Sequence, residues 1–317
     1  MSSRRPLGGT GIDVSTLCLG GNVFGWSADP DTSFAVLDAY VAAGGNFIDT
    51  ADVYSAWAPG NRGGESEEIL GRWLSADGNQ DRVVVATKVG WEAEGHPSGL
   101  GREQVRRGVE ASLSRLRVDR IDVYFAHKDD PSTPLDETLG ALTELVEEGL
   151  VGSIGASNYS AERFSEALAI SEREGLARFE VLQPHYSLME RTGYEGSLQD
   201  AAVGAGVAVT PYFSLARGFL TGKYRPDTPI PESVRAGGVV SQYLNDRGFA
   251  VLQALDRAAD AHAASPAQVA IAWLAAQPGV ASPIASATSV AHVEDLAGAM
   301  DLQLDEEHLA ALSDASR

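Results

Sequence analysis

Val83-Val84-Val85-Ala86-Thr87-Lys88 is followed by a glycine-rich connection, then by Val105, Val109, Leu113 and Leu116 at helical spacing, then by Asp122-Val123-Tyr124-Phe125-Ala126. The outer two segments are nearly continuous apolar runs, as strands buried on both faces of a parallel sheet should be, and the helix between them completes a βα unit. The alternation extends in both directions along the chain. Further strands are expected at Leu17 to Leu19, Phe47 to Asp49, Ser153 to Ala156, Glu180 to Gln183, Ala208 to Tyr212 and Ser282 to Ile284. Helical spacing recurs at Phe34, Leu37 and Val41, ending at Gly44, and at Leu135, Leu139, Leu142 and Val146, ending at Gly149, with each glycine placed as a C-cap. Ser265-Pro266-Ala267-Gln268 reads as a capping box opening a helix through Val269 and Trp273. Eight such units without a linker or composition break predict an α/β fold, a (β/α)8 TIM barrel forming one domain over residues 1–317, rather than a doubly wound sheet. Gly9-Thr10-Gly11 reads as a hairpin turn capping the barrel bottom.

The charge balance narrows the function. Lys and Arg number 24 against 44 Asp and Glu, a formal net charge of −20, with no basic run. Nucleic acid and anionic membranes are therefore poor partners, and the acidity reads as a solubilising surface on an ordinary globular composition. The single cysteine, Cys18, excludes an intrachain disulfide and reads as a packing residue. No apolar segment approaches the length of a membrane span, and Met1 to Pro6 leads into glycines rather than a signal-peptide core, so a cytoplasmic protein is expected.

Three connections are long and rich in glycine and proline: Ser55 to Gly64, Gly90 to Gly101, and Gly218 to Gly238. Each follows the C-terminal end of a strand, the face where barrel enzymes build their sites, although a plain surface insertion gives the same composition. Phe24, Trp26, Trp57 and Trp91 lie on loops at that face and are candidate walls of a substrate site, suited to apolar or aryl molecules.

Polar residues gather at adjacent strand ends: Asp49 and Tyr54 after the second strand, Lys88 at the end of the third, His127 after the fourth. Singly, each has an ordinary structural reading as a cap, a packing ring, a snorkelling lysine or a satisfied histidine. Together they suggest chemistry, because a lysine at the end of a buried strand needs a carboxylate beside it. A tyrosine hydroxyl, with a pKa of about 10, becomes a usable proton donor if a neighbouring ammonium lowers that value. Lys88 would supply the charge, Asp49 would hold Lys88, and His127 would hydrogen-bond a substrate oxygen and orient it. Such a set moves one proton to or from a carbonyl or alcohol.

Gly45-Asn46-Phe47-Ile48-Asp49-Thr50-Ala51-Asp52-Val53-Tyr54, Ser112-Leu113-Ser114-Arg115-Leu116 with His127 and Asp130-Pro131, Ile154-Gly155-Ala156-Ser157-Asn158, Gln183, Tyr186-Ser187-Leu188 and Leu220-Thr221-Gly222-Lys223-Tyr224 resemble the aldo-keto reductases over almost the whole chain. The resemblance implies reversible reduction of aldehydes and ketones to alcohols, with a catalytic tetrad of Asp49, Tyr54, Lys88 and His127. It also implies a nicotinamide cofactor lying extended across the barrel mouth, with no Rossmann glycine motif. Ser157, Asn158 and Gln183 would hold its carboxamide, with Tyr212 stacked on the nicotinamide ring, and Gly21, Asn22 and Asp49 would lie close by. Phe213 and Ser214 would also bind the cofactor, and the Leu215 to Lys223 loop, with Gly218 and the local cations Arg217 and Lys223, would cover the pyrophosphate. Ser286, Ala287, Thr288 and His292 would meet the adenosine end. NADP is the family's default cofactor. Phe213-Ser214-Leu215 in place of Ser-Pro-Leu, Thr288 in place of an arginine for the 2′-phosphate, and Leu296 in place of asparagine leave NAD open.

Other strings carry less. Gly218 to Tyr224 is one residue short of a P-loop, and Asn158-Tyr159-Ser160 is a sequon without secretory context. His96, His185, His262, His292 and His308 show no metal-ligand spacing, so no metal site is expected. A monomer or weak oligomer acting on a small molecule is the expected form. The alternative is a low-turnover redox sensor or regulatory subunit of the same fold, as the potassium-channel β-subunits resemble reductases while serving a partner.

Overall fold

A computed structural model describes residues 4–317 apart from 77, 94–95, 97, 227 and 232–235. Parts of the Gly90–Gly101 and Gly218–Gly238 connections, and the first three residues, thus lie outside the described residues. The chain opens with an antiparallel hairpin, β1 (Arg4–Pro6) and β2 (Asp13–Ser15). Eight parallel strands follow: β3 (Cys18–Gly20), β4 (Phe47–Asp49), β5 (Val84–Val89), β6 (Ile121–Ala126), β7 (Val151–Ser157), β8 (Phe179–Gln183), β9 (Ala208–Val209) and β10 (Ile284–Ala285). Each pairs with the next in sequence, and β10 returns to β3. Between β9 and β10 the ring closes through a parallel bridge of Val209 to Val280 and a bond from Ile284 N to Pro211 O of 2.9 Å. The fold is the expected (β/α)8 barrel.

Strand pleating divides the core in two. Residues of one parity fill the barrel interior with Cys18, Phe47, Ala86, Val123, Phe125, Val181 and Ile284, while the other parity packs outward beneath the helices. Leu7 and Val14 of the hairpin plug the lower end, where Gly9 N donates to Glu180 Oε2 at 3.0 Å. A Cβ on Gly8, at φ +60°, would sit 2.3 Å from the Glu180 carbonyl, so glycine is required for that approach.

The first helices alternate simply with the strands: α1 (Pro30–Ala42), α2 (Glu65–Leu74), α3 (Arg102–Leu116), α4 (Leu135–Glu147), α5 (Ala161–Glu174) and α6 (Ser197–Gly204). The buried stripe of α1 is Ser33, Val36, Leu37 and Tyr40, so Phe34 and Val41 flank the seam rather than forming it. The last part departs from one helix per strand. Between β9 and β10 lie α7 (Ala236–Tyr243), α8 (Asp246–His262) and α9 (Pro266–Ala275); α10 (Val290–Ala297) and α11 (Glu306–Ala315) end the chain. The Ser265–Gln268 capping box opens α9 as expected. The two late strands are shorter than or shifted from the expected spans, because Pro211 and Pro283 lack the N–H that a ladder needs. Among the described residues, no helix is long and apolar enough to cross a membrane.

Candidate active site

The parity that fills the barrel also builds its mouth. Two residues beyond Phe47, Ala86, Phe125, Val181 and Ile284, the same inward direction belongs to Asp49, Lys88, His127, Gln183 and Ser286. These strand ends ring the floor of a cavity of about 1030 Å³. That volume lies at the upper end of ligand sites, roughly 300–1,000 Å³, and suits an extended cofactor with a small substrate.

Lys88 is fully buried and its ammonium is fully used. Its three N–H groups go to Asp49 Oδ2 at 2.8 Å, to the Thr50 carbonyl at 2.7 Å and to the Tyr54 hydroxyl at 2.9 Å, and Asp49 Oδ1 lies 2.7 Å from the same nitrogen as an ion pair. Tyr54 in turn donates to Asp49 Oδ2 at 3.0 Å, and Gln183 Nε2 donates to Asp49 Oδ1 at 2.8 Å. Asp49 is thus the hub, buried at 2% exposure and satisfied from three sides. Tyr54 reaches this hub from the loop after β4, which turns back at Ser55 (φ +72°), a buried residue whose hydroxyl donates to Phe24 O at 2.6 Å. A positive φ off glycine is uncommon, and here the Ser55 side-chain bond fixes it.

The electrostatics of the tyrosine run opposite to the expectation. Burial first, and then the Asp49 carboxylate that accepts its hydrogen bond, hold the Tyr54 phenol well above its ordinary value. The neighbouring ammonium does not outweigh them. Lys88 itself is lowered by burial, against the opposing pull of Asp49. Burial, with Lys88 and Lys128 adding to it, holds the His127 imidazole well below its ordinary range. Burial thus favours the phenol of Tyr54 and the neutral imidazole of His127, whose buried Nδ1 has no hydrogen-bond partner, beside the Lys88–Asp49 ion pair.

Around this floor lie most of the residues that the resemblance assigns to a nicotinamide cofactor. Ser157 Oγ donates to Gln183 O at 2.9 Å, and Asn158, held at φ +57°, donates to His127 O at 2.9 Å while accepting from the Tyr212 hydroxyl at 2.7 Å. The Tyr212 ring lines the cavity and is backed by His185, stacked at 5.1 Å and 15°. Phe213, Ala216, Arg217 and Gly218 all take positive φ in the segment that crosses the cavity. Arg217 lies over the Phe213 ring at 4.9 Å, and its Nε is buried with no partner. An unpartnered guanidinium nitrogen and Lys223 on one wall, in a chain of net charge −20, make a cradle suited to a pyrophosphate. Ser286, Thr288 and His292 line the far end, with Ser286 bonded to Asn22 and Thr288 to His292. The residues present fit a nicotinamide dinucleotide.

Some expected residues lie elsewhere. Gly21 and Ala287 are buried just behind the wall, since the inward parity belongs to Gly20 and to Ser286 and Thr288. Phe24 is fully buried in the outer core and acts on the site only through its carbonyl at Ser55. Trp26 meets Trp57 edge-on at 5.7 Å and does not line the cavity. Trp57 and Trp91 do, with half-exposed rings; Trp57 lies 6.0 Å from the Tyr54 ring and Trp91 5.0 Å from that of His127. Residues that the sequence reading did not assign to the site also line it, among them Gly20, Val23, Ser27, Val53, Thr221, Ala267 and Asp295. The inward parity signals Gly20. Asp295 is held by Gln268, whose Nε2 donates to its carbonyl at 2.7 Å, a tertiary contact that no local pattern reports.

This constellation sets a tyrosine hydroxyl, bonded to a buried ion pair, at the mouth of a parallel barrel beside a cleft large enough for a dinucleotide. Residues 16–317 match the model of the Aldo/keto reductase family. The "Uncharacterized oxidoreductase YrpG" of Bacillus subtilis is 33% identical over 316 residues, covering 97% of this chain and 94% of that protein. "Aldo-keto reductase str7" of Strobilurus tenacellus is 33% identical over 297 residues, covering 91% and 82%. A "Probable voltage-gated potassium channel subunit beta" of Arabidopsis thaliana is 33% identical over 306 residues, covering 94% and 91%. The chain belongs to the aldo/keto reductase family and is an oxidoreductase, of a family that uses nicotinamide cofactors.

Proposed function

We propose that this protein is a cytoplasmic NADPH-dependent reductase of aldehydes and ketones, acting on small aryl or apolar carbonyl compounds. The observation that carries the reading is the closed set of bonds among Lys88, Asp49 and Tyr54 beside the cavity. When bound, the reduced nicotinamide supplies the hydride that the carbonyl carbon receives. Tyr54 gives its proton to the oxygen as negative charge develops there, and Lys88 stabilises the phenolate left behind. His127, neutral, hydrogen-bonds the carbonyl oxygen and points it at Tyr54. Holding the phenol above its ordinary value keeps the donor loaded, which favours reduction at neutral pH. Asp49 fixes Lys88 and ties it through Gln183 to the residues that would hold the carboxamide. NADPH rather than NADH rests on family habit alone, since Arg217 and Lys223 face the pyrophosphate that both cofactors share; a fluorescence titration in which NADH binds more tightly would reverse it.

The pH profile follows from the directions of the shifts. Because His127 stays neutral below its ordinary value, kcat/KM for reduction is expected to show no acid limb near pH 6.5, about where a free imidazole titrates. On the alkaline side the phenol persists, and activity declines only as Lys88, lowered by burial, gives up its proton. A limb centred near pH about 6.5 that disappears in His127→Asn would contradict this assignment.

Trp57 and Trp91 supply the aromatic walls. Replacing both with alanine is expected to raise KM for an aryl aldehyde by about tenfold or more, since each lost ring face is worth roughly 0.5–1.5 kcal/mol. The same double variant should change KM little for a short aliphatic aldehyde. Equal effects on the two substrates would remove the tryptophans from the substrate site.

A further inference from the structure

Outside the cavity lining, three side chains at the ends of two helices converge. His262 lies in the last turn of α8, Asp305 is the N-cap of α11, and His308 is in the first turn of α11. Their sequence separation hides the relation, and sequence spacing accordingly predicts no metal site. In the structure one ligand atom from each lies within 4.8 Å of the other two. His308 Nδ1 is 2.8 and 2.9 Å from the Asp305 oxygens, and His262 Nε2 is 3.4 Å from Asp305 Oδ2. The two imidazoles meet edge to face at 5.1 Å.

Capping explains only part of this arrangement. Asp305 Oδ1 accepts from His308 N at 2.8 Å, which accounts for the aspartate and for the position of His308. It does not account for His262, whose Nε2 is buried, makes no hydrogen bond and lies 3.4 Å from Asp305 Oδ2, the oxygen that does not cap the helix. Zinc bonds of about 2.0–2.2 Å place tetrahedral ligands roughly 3.3–3.5 Å apart, within the range of the separations seen. Two imidazoles and one carboxylate select a borderline transition ion over magnesium or calcium.

We propose that His262, Asp305 and His308 form a zinc-class divalent cation site that staples the end of α8 to the start of α11. The ion takes the place of the proton between His308 and Asp305 and gives His262 its missing partner, with water completing the shell at the exposed side of Asp305. The staple fixes the C-terminal helix on a helix that leads directly into α9, whose Ala267 lines the cavity and whose Gln268 holds Asp295. This inference does not depend on the reductase reading.

The test is calorimetric titration of tag-free, chelator-treated protein with zinc chloride. One zinc per chain with micromolar or tighter affinity is expected, no binding of magnesium or calcium, and affinity at least about tenfold weaker in His262→Gln. At free zinc of about a hundred times Kd the Tm should rise by about 4 °C in the wild type and not in the variant. His262 has no hydrogen bond to lose, so His262→Gln keeps the fold, which circular dichroism checks. Cobalt provides a second readout: a visible absorption band in the wild type that is missing in the variant. No zinc binding, or zinc and cobalt bound by His262→Gln as by the wild type, overturns the site.

Discussion

Tyr54→Phe is expected to lower kcat for carbonyl reduction by about a thousandfold, within the roughly 10²–10⁴-fold range of a positioned general acid. Cofactor affinity should change by less than about twofold, for a structural reason. The substitution removes one oxygen, while Lys88 keeps both Asp49 oxygens and the Thr50 carbonyl, and Asp49 keeps Gln183. The ring keeps its edge contact with Trp57. The floor therefore stays assembled and only the proton is missing. Steady-state kinetics alongside a binding titration separate the two effects, and a variant that turns over like the wild type would sink the mechanism.

Lys88→Met is expected to destabilise the fold by about 3–5 kcal/mol, the cost of leaving one member of a buried ion pair without the other. Asp49 is 2% exposed and would retain only the Tyr54 and Gln183 donors against a full negative charge. The same argument fixes the sign of a second substitution. Lys88→Met with Asp49→Asn removes the stranded charge and should recover part of the loss, even though both variants are inactive. Urea unfolding measures both. A cost below about 1 kcal/mol for the single variant, or a double variant less stable than it, would mean that water reaches the pair.

The inner layer of this barrel was legible because strand pleating is strict. Once Phe47, Ala86, Phe125 and Val181 are placed inside, Asp49, Lys88, His127 and Gln183 follow at the mouth with no freedom to turn away. The loops had no such periodicity to constrain them. Phe24 and Trp26 lie in the right region, but whether a ring faces the cavity or the core depends on backbone angles that residue types do not report. The direction of the Tyr54 shift was misjudged for a related reason. Sequence places an ammonium and a carboxylate near the phenol but gives neither the depth of its burial nor its hydrogen bond to that carboxylate, and those two dominate. The His262, Asp305 and His308 group was hidden because it arises where α11 packs on α8, a contact set by tertiary folding rather than by any local pattern.

The measurement that bears most directly on the proposed reductase is NADPH consumption, followed at its own absorbance, with an activated aryl aldehyde. The account predicts steady turnover by the wild type, alcohol formed in step with NADPH used, and loss of both in Tyr54→Phe. Tight NADPH binding with no turnover on any carbonyl would contradict it, and would make the protein a sensor built on a reductase fold.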